Sequence, residues 1–243
     1  EEELKDMRAQ MTEMEIRQEL LCDFTTSASD VVIPIDLVTE AAAREMDAEE
    51  VQGQPVILGV DVARFGDDRT VLCIRQGLLL KEIRTFTGLS TMDTASAVIS
   101  CDTEFSPAAV FIDAGAMGAG VIDRLRQLGY APTEINFGAA AMDTERYANI
   151  RAEMYFKCRD WLEAGGVLTQ NTELKTELST VEYKFSASGR ILLEPKDKVK
   201  ERMGKSPDLA DALALTFAMP VHVRQGKYYE ARRRGNIRRA GSM

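Results

Sequence analysis

Histidine is almost missing from this sequence: His222 is the only one in 243 residues. That all but excludes a histidine acid–base pair or a histidine-ligated metal as the basis of function. Cysteine is also sparse and scattered. Cys22, Cys73, Cys101 and Cys158 lie far apart and none belongs to a CxxC pair, so neither a disulfide framework nor a zinc site is indicated. No apolar run approaches the roughly 18 residues that a membrane-spanning helix needs. The opening EEELKDMRAQ is acidic and lacks the apolar core of a signal peptide. The expectation is a protein that neither spans a membrane nor is secreted, and whose first residue, not Met, marks a segment of a longer chain. The remaining composition is ordinary. With 45% hydrophobic and 28% charged residues, the chain has the profile of one globular domain or two small ones.

Charge is unevenly placed. The net value is −9, but residues 1–50 hold 15 acids and 4 bases, a net of −11, so the rest sums to +2. Residues 221–243 carry seven bases (Arg224, Lys227, Arg232, Arg233, Arg234, Arg238 and Arg239) against Glu230. An acidic head, a near-neutral body and a basic tail are compatible with a nucleic-acid partner despite the negative total.

The pattern predicts an α/β domain. Leu4, Met7, Met11, Met14 and Leu21 give residues 3–22 helical spacing, and a second helix is predicted over 35–46. Asp47 to Pro55 has linker composition. VILGVDVA (56–63) reads as a central strand. TVLCIRQ (70–76) and LLLKEIRTF (78–86) read as an antiparallel hairpin about Gly77. A helix over 91–101 leads to the strand AAVFIDA (108–114), a helix over 120–129 and a short strand EINF. Helices are predicted over 145–164 and 172–183, and a hairpin over 184–194 turning at Ser188-Gly189. The last helix covers 206–219, with Ser206 as N-cap, Pro207 in its first turn and Pro220 as its stop. The domain reading is 1–50 as an acidic helical linker, 51–220 as one compact α/β unit and 221–243 as a basic, mobile tail.

Two apolar strands run straight into an aspartate: Asp61 after ILGV and Asp113 after VFI. A carboxylate there is costly to bury without compensation. A single strand-end aspartate can equally well cap a turn; two, each in a hydrophobic strand of one sheet, point to shared chemistry. Asp208 and Asp211, three apart, share a face of the last helix. Its dipole accounts for Asp208, but Asp211 stands inside the apolar run Leu209 to Leu215. Carboxylates that converge repel, and a cation relieves them. Oxygen-only ligands suit Mg²⁺ or Mn²⁺. Two such ions about 4 Å apart can activate a water and stabilise the leaving 3′-oxygen of a phosphodiester.

The words GVDVARFGDDRT (59–70), VFIDAGAMGAGVIDRL (110–125), NIRAEMYFKCRDWLEAGG (149–166) and KSPDLADALAL (205–215), in that order, resemble the nuclease domain of phage terminase large subunits. The resemblance covers roughly 51–219. It implies a ribonuclease-H-like mixed sheet with antiparallel hairpin strands and flanking helices, and a metal-dependent endonuclease acting during viral DNA packaging. By the same resemblance Asp61, Asp113 and Asp211 match the metal-binding and catalytic acids. Asp208 is a possible fourth ligand, and Asp68 an acid just outside them. The implied cofactors are two Mg²⁺ or Mn²⁺ ions. The implied partners are double-stranded DNA, an N-terminal packaging ATPase domain not contained in this chain, a portal protein and a small terminase subunit, in the host cytoplasm. Arg64, Arg69, Lys184, Arg190, Lys196, Lys198, Lys200, Arg202 and Lys205 could hold the DNA backbone, or simply form a solvated face.

Two other readings remain open on sequence alone. A Holliday-junction resolvase shares the fold and the acids. An actin-like or sugar-kinase ATP-binding module also follows strands with Asp and Gly. A true P-loop is not expected: Gly204-Lys205-Ser206 has Val199 where the first glycine belongs.

Overall fold

The computed structural model describes residues 31–63, 69–115 and 117–221. The predicted helix over 3–22, the basic tail beyond Val221, Arg64 and Asp68 lie outside the described residues.

A five-stranded sheet forms the centre. Its strands are β1 (Val56–Asp61), β2 (Thr70–Gln76), β3 (Leu79–Phe86), β4 (Ala109–Asp113) and β5 (Thr133–Ile135), in the order β3-β2-β1-β4-β5. The pairs β1–β2 and β2–β3 are antiparallel, whereas β1–β4 and β4–β5 are parallel. The predicted hairpin about Gly77 and the strands ending in Asp61 and Asp113 are all present.

Alternation along the strands divides the core in two. Leu58 and Val60 of β1, Leu72 and Ile74 of β2 and Ile112 of β4 point to one face. There they pack on α2 (Thr91–Phe105) and α3 (Gly118–Gln127). Ile57, Val71, Cys73 and Phe111 point to the other face, towards the larger cluster. That cluster is built by α1 (Ile35–Ala43), α4 (Ile150–Glu163), α5 (Thr172–Leu178) and α7 (Asp208–Leu215). Helix α7 lies directly on β1, β2 and β4, with α4 and α5 against it.

Gly59 allows this contact. A β-carbon there would stand 2.2 Å from the carbonyl oxygen of Ala212 in α7. Only a residue without a side chain lets helix and strand approach so closely.

Several boundaries differ from those predicted, each for a local reason. Helix α4 starts at Ile150 and not at 145, because the Asn149 side chain accepts from the Ala152 N–H at 3.0 Å and caps it. The preceding residues turn about Asp143, whose Oδ1 accepts from the Glu145 and Arg146 N–H groups at 3.2 and 3.1 Å. Helix α5 stops at Leu178, and the chain beyond it pairs instead, the Val32 N–H donating to the Val181 carbonyl at 2.9 Å. The short hairpin β6 (Tyr183–Phe185) and β7 (Ile191–Leu193) follows as expected. The sequence reading has no helix over 196–203, yet α6 (Lys196–Met203) forms there, starting after Pro195 and ending at Gly204 in the left-handed region, φ 76°.

Residues 31–50 are not simply a linker. Val32, Ile33, Val38, Ala41 and Ala42 are buried in the larger cluster. The Arg44 guanidinium donates to the carbonyls of Leu162 and Gly166 at 2.7 and 2.9 Å. The packed unit therefore takes in residues that the sequence reading assigns to the acidic head.

Candidate active site

The two-residue period of a strand sets the site's geometry. Asp61 shares a face of β1 with Ile57 and Gly59, and Asp113 shares one of β4 with Phe111, so both carboxylates lie on the side covered by α7. Strands β1 and β4 are parallel and paired Val60 to Ile112, which brings their two C-terminal aspartates side by side. Asp61 is 4% exposed, and Asp113 is half-buried. The Asp113 Oδ1 accepts from the Gly115 N–H at 3.3 Å, fixing the chain as it turns towards α3.

Helix α7 supplies Asp211, which is fully buried, and Asp208, nearly so. The predicted Ser206 cap is not formed: Pro207 takes the N-cap position, with no side-chain hydrogen bond. The cap comes from α5 instead. Glu177, fully buried, accepts from the Leu209 and Ala210 N–H groups through Oε2 at 2.7 and 3.0 Å. Its other oxygen lies 3.3 Å from Arg69, and the Arg69 backbone N–H donates to Asp208 Oδ2 at 3.3 Å. Asp208 is thus held at the mouth of the cluster by the chain entering β2.

Lys196, the first residue of α6, ties the acids together. Its ammonium lies 2.8 Å from Asp211 Oδ2 and 3.3 Å from Asp61 Oδ2. On the far side of Asp211, Oδ1 accepts from the Tyr155 hydroxyl at 2.8 Å and from Arg151 Nε at 3.3 Å. Burial pushes the Asp61 carboxyl above the usual carboxylate range; Lys196 pulls it down, and Asp211, Asp113 and Asp208 add to the rise. Asp113 is raised too, by burial first. Burial acts on Asp211 in the same sense, but Lys196 and then Arg151 outweigh it and hold its carboxyl below the usual range.

These residues fit a divalent cation on chemistry and on charge. The donors are carboxylate oxygens only, the set that Mg²⁺ and Mn²⁺ prefer. Asp211 Oδ2 is buried and is met by the Lys196 ammonium at 2.8 Å, a monovalent cation at the place where a divalent one would sit. Among the described residues no three His, Cys, Asp or Glu side chains stand at metal-ligand spacing. The positive charge between Asp61 and Asp211 is supplied by Lys196.

Of the other basic candidates, Arg69 pairs with Glu173 and Glu177, Lys205 with the same two acids, and Arg202 with Glu182 and Glu194. Lys184 and Lys198 line an open groove of about 530 Å³ between the β6–β7 hairpin and α6, next to Pro195. The sequence reading missed Arg151, Tyr155 and Glu177. All three lie in helices whose text looks like ordinary amphipathic helix, and their partners are 32 to 60 residues away in the chain. Gly204-Lys205-Ser206 is the end of α6 and the connection to α7, not a loop following a strand.

Sheet order and mixed pairing give the chain a ribonuclease-H-like fold. Within that class it is the fold of large terminase nuclease domains. No protein-family model and no curated protein sequence matches the chain. Among solved structures, the nuclease domain of the large terminase subunit gp2 of bacterial virus Sf6 superposes with a TM-score of 0.67 at 21% identity. The match covers 79% of this chain and 100% of that one. The large terminase nuclease from thermophilic phage G20c gives a TM-score of 0.54 at 15% identity, covering 69% and 83%. The Sf6 domain has been solved as a K428A mutant with manganese, and the G20c nuclease with magnesium bound. At these identities the likeness establishes the shared fold.

Proposed function

We propose that this chain is a terminase large-subunit nuclease domain, a metal-dependent endonuclease that cuts double-stranded DNA during viral genome packaging. One observation carries the reading: β1, β4 and α7 deliver Asp61, Asp113 and Asp211 to one side of the sheet, and Lys196 offsets part of their charge. The metal-bound forms of proteins with the same fold support it.

In this reading Asp61, Asp113 and Asp211 hold two Mg²⁺ or Mn²⁺ ions, with Asp208 at the edge as a fourth ligand. When bound, the ions supply an activated water and stabilise the leaving 3′-oxygen. The chain's own part is to hold the carboxylates in place and, through Lys196 and Arg151, to keep Asp211 ionised in a buried setting. Lys184 and Lys198, in the groove beside Pro195, contact the DNA backbone; such contacts carry no sequence information and suit a cut that does not depend on a recognition site. An N-terminal packaging ATPase domain, a portal protein and a small terminase subunit complete the assembly in the host cytoplasm.

The test is nicking of supercoiled plasmid by the 243-residue chain with Mg²⁺, Mn²⁺ or EDTA, beside Asp61→Asn. Wild type is expected to nick with metal and stop with EDTA, and Asp61→Asn to be inactive. Cleavage that persists in EDTA, or in Asp61→Asn, would overturn the reading.

A further inference from the structure

We propose that Arg151 and Tyr155 are positioning residues for Asp211, filling its Oδ1 so that Oδ2 is the oxygen it offers to a divalent cation. This rests on the function proposed above and names two residues that the aspartate pattern does not contain. Arg151 and Tyr155 are four apart in the first two turns of α4, so they share one face. That face meets Asp211 of α7.

The geometry is one-sided. Tyr155 Oη donates to Asp211 Oδ1 at 2.8 Å and Arg151 Nε donates to the same oxygen at 3.3 Å. Oδ2, on the opposite side, is buried and has the Lys196 ammonium, 2.8 Å away, as its partner, the cation whose place a divalent ion would take. It faces Asp61 across the Lys196 ammonium. Arg151 is itself anchored: Nη1 donates to the Glu194 carbonyl at 2.9 Å, just before Pro195 and Lys196. The guanidinium thus connects α4, Asp211 and the chain entering α6. Its carbon lies 5.3 Å from the Tyr155 ring centre, so the two side chains brace each other.

A purely structural arginine is a poor account of this arrangement. Arg151 is 7% exposed, and its Nη2 is buried without an acceptor among the described residues. A buried charge with an unused donor costs stability, which well-packed apolar side chains would avoid. What it provides is orientation. A carboxylate with both oxygens free can rotate about χ2; one whose Oδ1 is held by two donors from a rigid helix cannot. Residues that fix ligand orientation in this way commonly change metal affinity 10- to 100-fold when altered.

The experiment compares wild type with Tyr155→Phe, Arg151→Gln and Arg151→Lys as full chains. Mn²⁺ binding is measured by calorimetry, and plasmid nicking is followed across a Mn²⁺ titration. Melts in EDTA report the fold. Tyr155→Phe, which keeps the ring, is expected to fold and to bind Mn²⁺ roughly 10-fold more weakly. Its nicking curve should shift to higher Mn²⁺ by the same factor and recover near saturation. Arg151→Gln is expected to lose more, and Arg151→Lys to regain part of the loss. If Tyr155→Phe and a folded Arg151 variant bind Mn²⁺ as wild type does, the inference is wrong whatever happens to the melting temperature. If wild type binds Mn²⁺ without cutting DNA, the nuclease reading fails while the affinity comparison still decides this one. If wild type binds no Mn²⁺, both fall.

Discussion

The Lys196 ammonium and the Asp211 carboxylate stand 2.8 Å apart, on the side of Asp211 turned away from Arg151. Without a divalent ion, this lysine is the cation that Asp61 and Asp211 share. Lys196→Ala should therefore lower the metal-free melting temperature. The Lys196 side chain is 33% exposed, so the loss is nearer about 1–2 kcal/mol than the cost of breaking a fully buried pair. Mn²⁺ should then stabilise the variant more than it does wild type, because no ammonium has to be displaced. Equal Mn²⁺-induced shifts in the two proteins would show that lysine and metal do not compete.

Asp61 and Asp211 should respond differently when neutralised, although both substitutions are expected to abolish nicking. Burial and neighbouring carboxylates raise the Asp61 carboxyl, so Asp61→Asn removes a charge the fold holds unwillingly, and stability in EDTA should change little or rise slightly. Asp211→Asn leaves Arg151 buried beside an amide and deprives Lys196 of its nearer partner, a loss on the order of 3–5 kcal/mol. Urea melts in EDTA measure both. Equal destabilisation by the two substitutions would contradict this distribution of charge.

How much of this was legible in the sequence depends on the range of the interaction. β2 appears over the predicted residues, and Asp61 and Asp113 close apolar strands as expected, because alternation and apolar runs are local signals. α6 was not legible: KDKVKERM is nearly all charge, with Val199 its one fully buried side chain. The N-cap of α7 was misassigned to Ser206 for a related reason. Its true acceptor, Glu177, lies 32 residues away from Leu209, and no local rule for caps reaches that far. The aspartates were found because they interrupt apolar text; Arg151 and Tyr155 interrupt nothing in a helix that already mixes polar and apolar residues.

Glu177 provides a test of that distant cap. Removing it frees two buried N–H groups of α7 and takes one of the two glutamates that pair with Arg69, leaving Glu173. Glu177→Ala should cost about 2–4 kcal/mol, the sum of a lost cap and an unpaired buried donor. Glu177→Gln retains an acceptor oxygen and should recover part of it. An unchanged melting temperature for Glu177→Ala would mean that α7 does not depend on the contact.

Gly59 controls how closely α7 approaches the sheet, and it does so two residues before Asp61. In Gly59→Ala the new β-carbon would meet the Ala212 carbonyl oxygen at 2.2 Å, Thr216 Cγ2 at 3.1 Å and Leu215 Cβ at 3.2 Å. The nearest of these is backbone within a helix, so no side-chain rotation relieves it and α7 must move as a unit. Overpacking of this kind costs typically 1–3 kcal/mol, which leaves the protein folded with a lower melting temperature. The displacement carries Asp211 away from Asp61 and Asp113. Misplacing reacting groups by about 1 Å can cost roughly 100-fold in rate. Nicking should fall by about that factor, while retention of DNA on a gel without metal should not change. Gly138→Ala is the control, because its added carbon would lie 3.4 Å from Asn136 Oδ1, an ordinary contact. If Gly59→Ala cuts plasmid as fast as Gly138→Ala, the seat of α7 on β1 does not set the spacing of the acids.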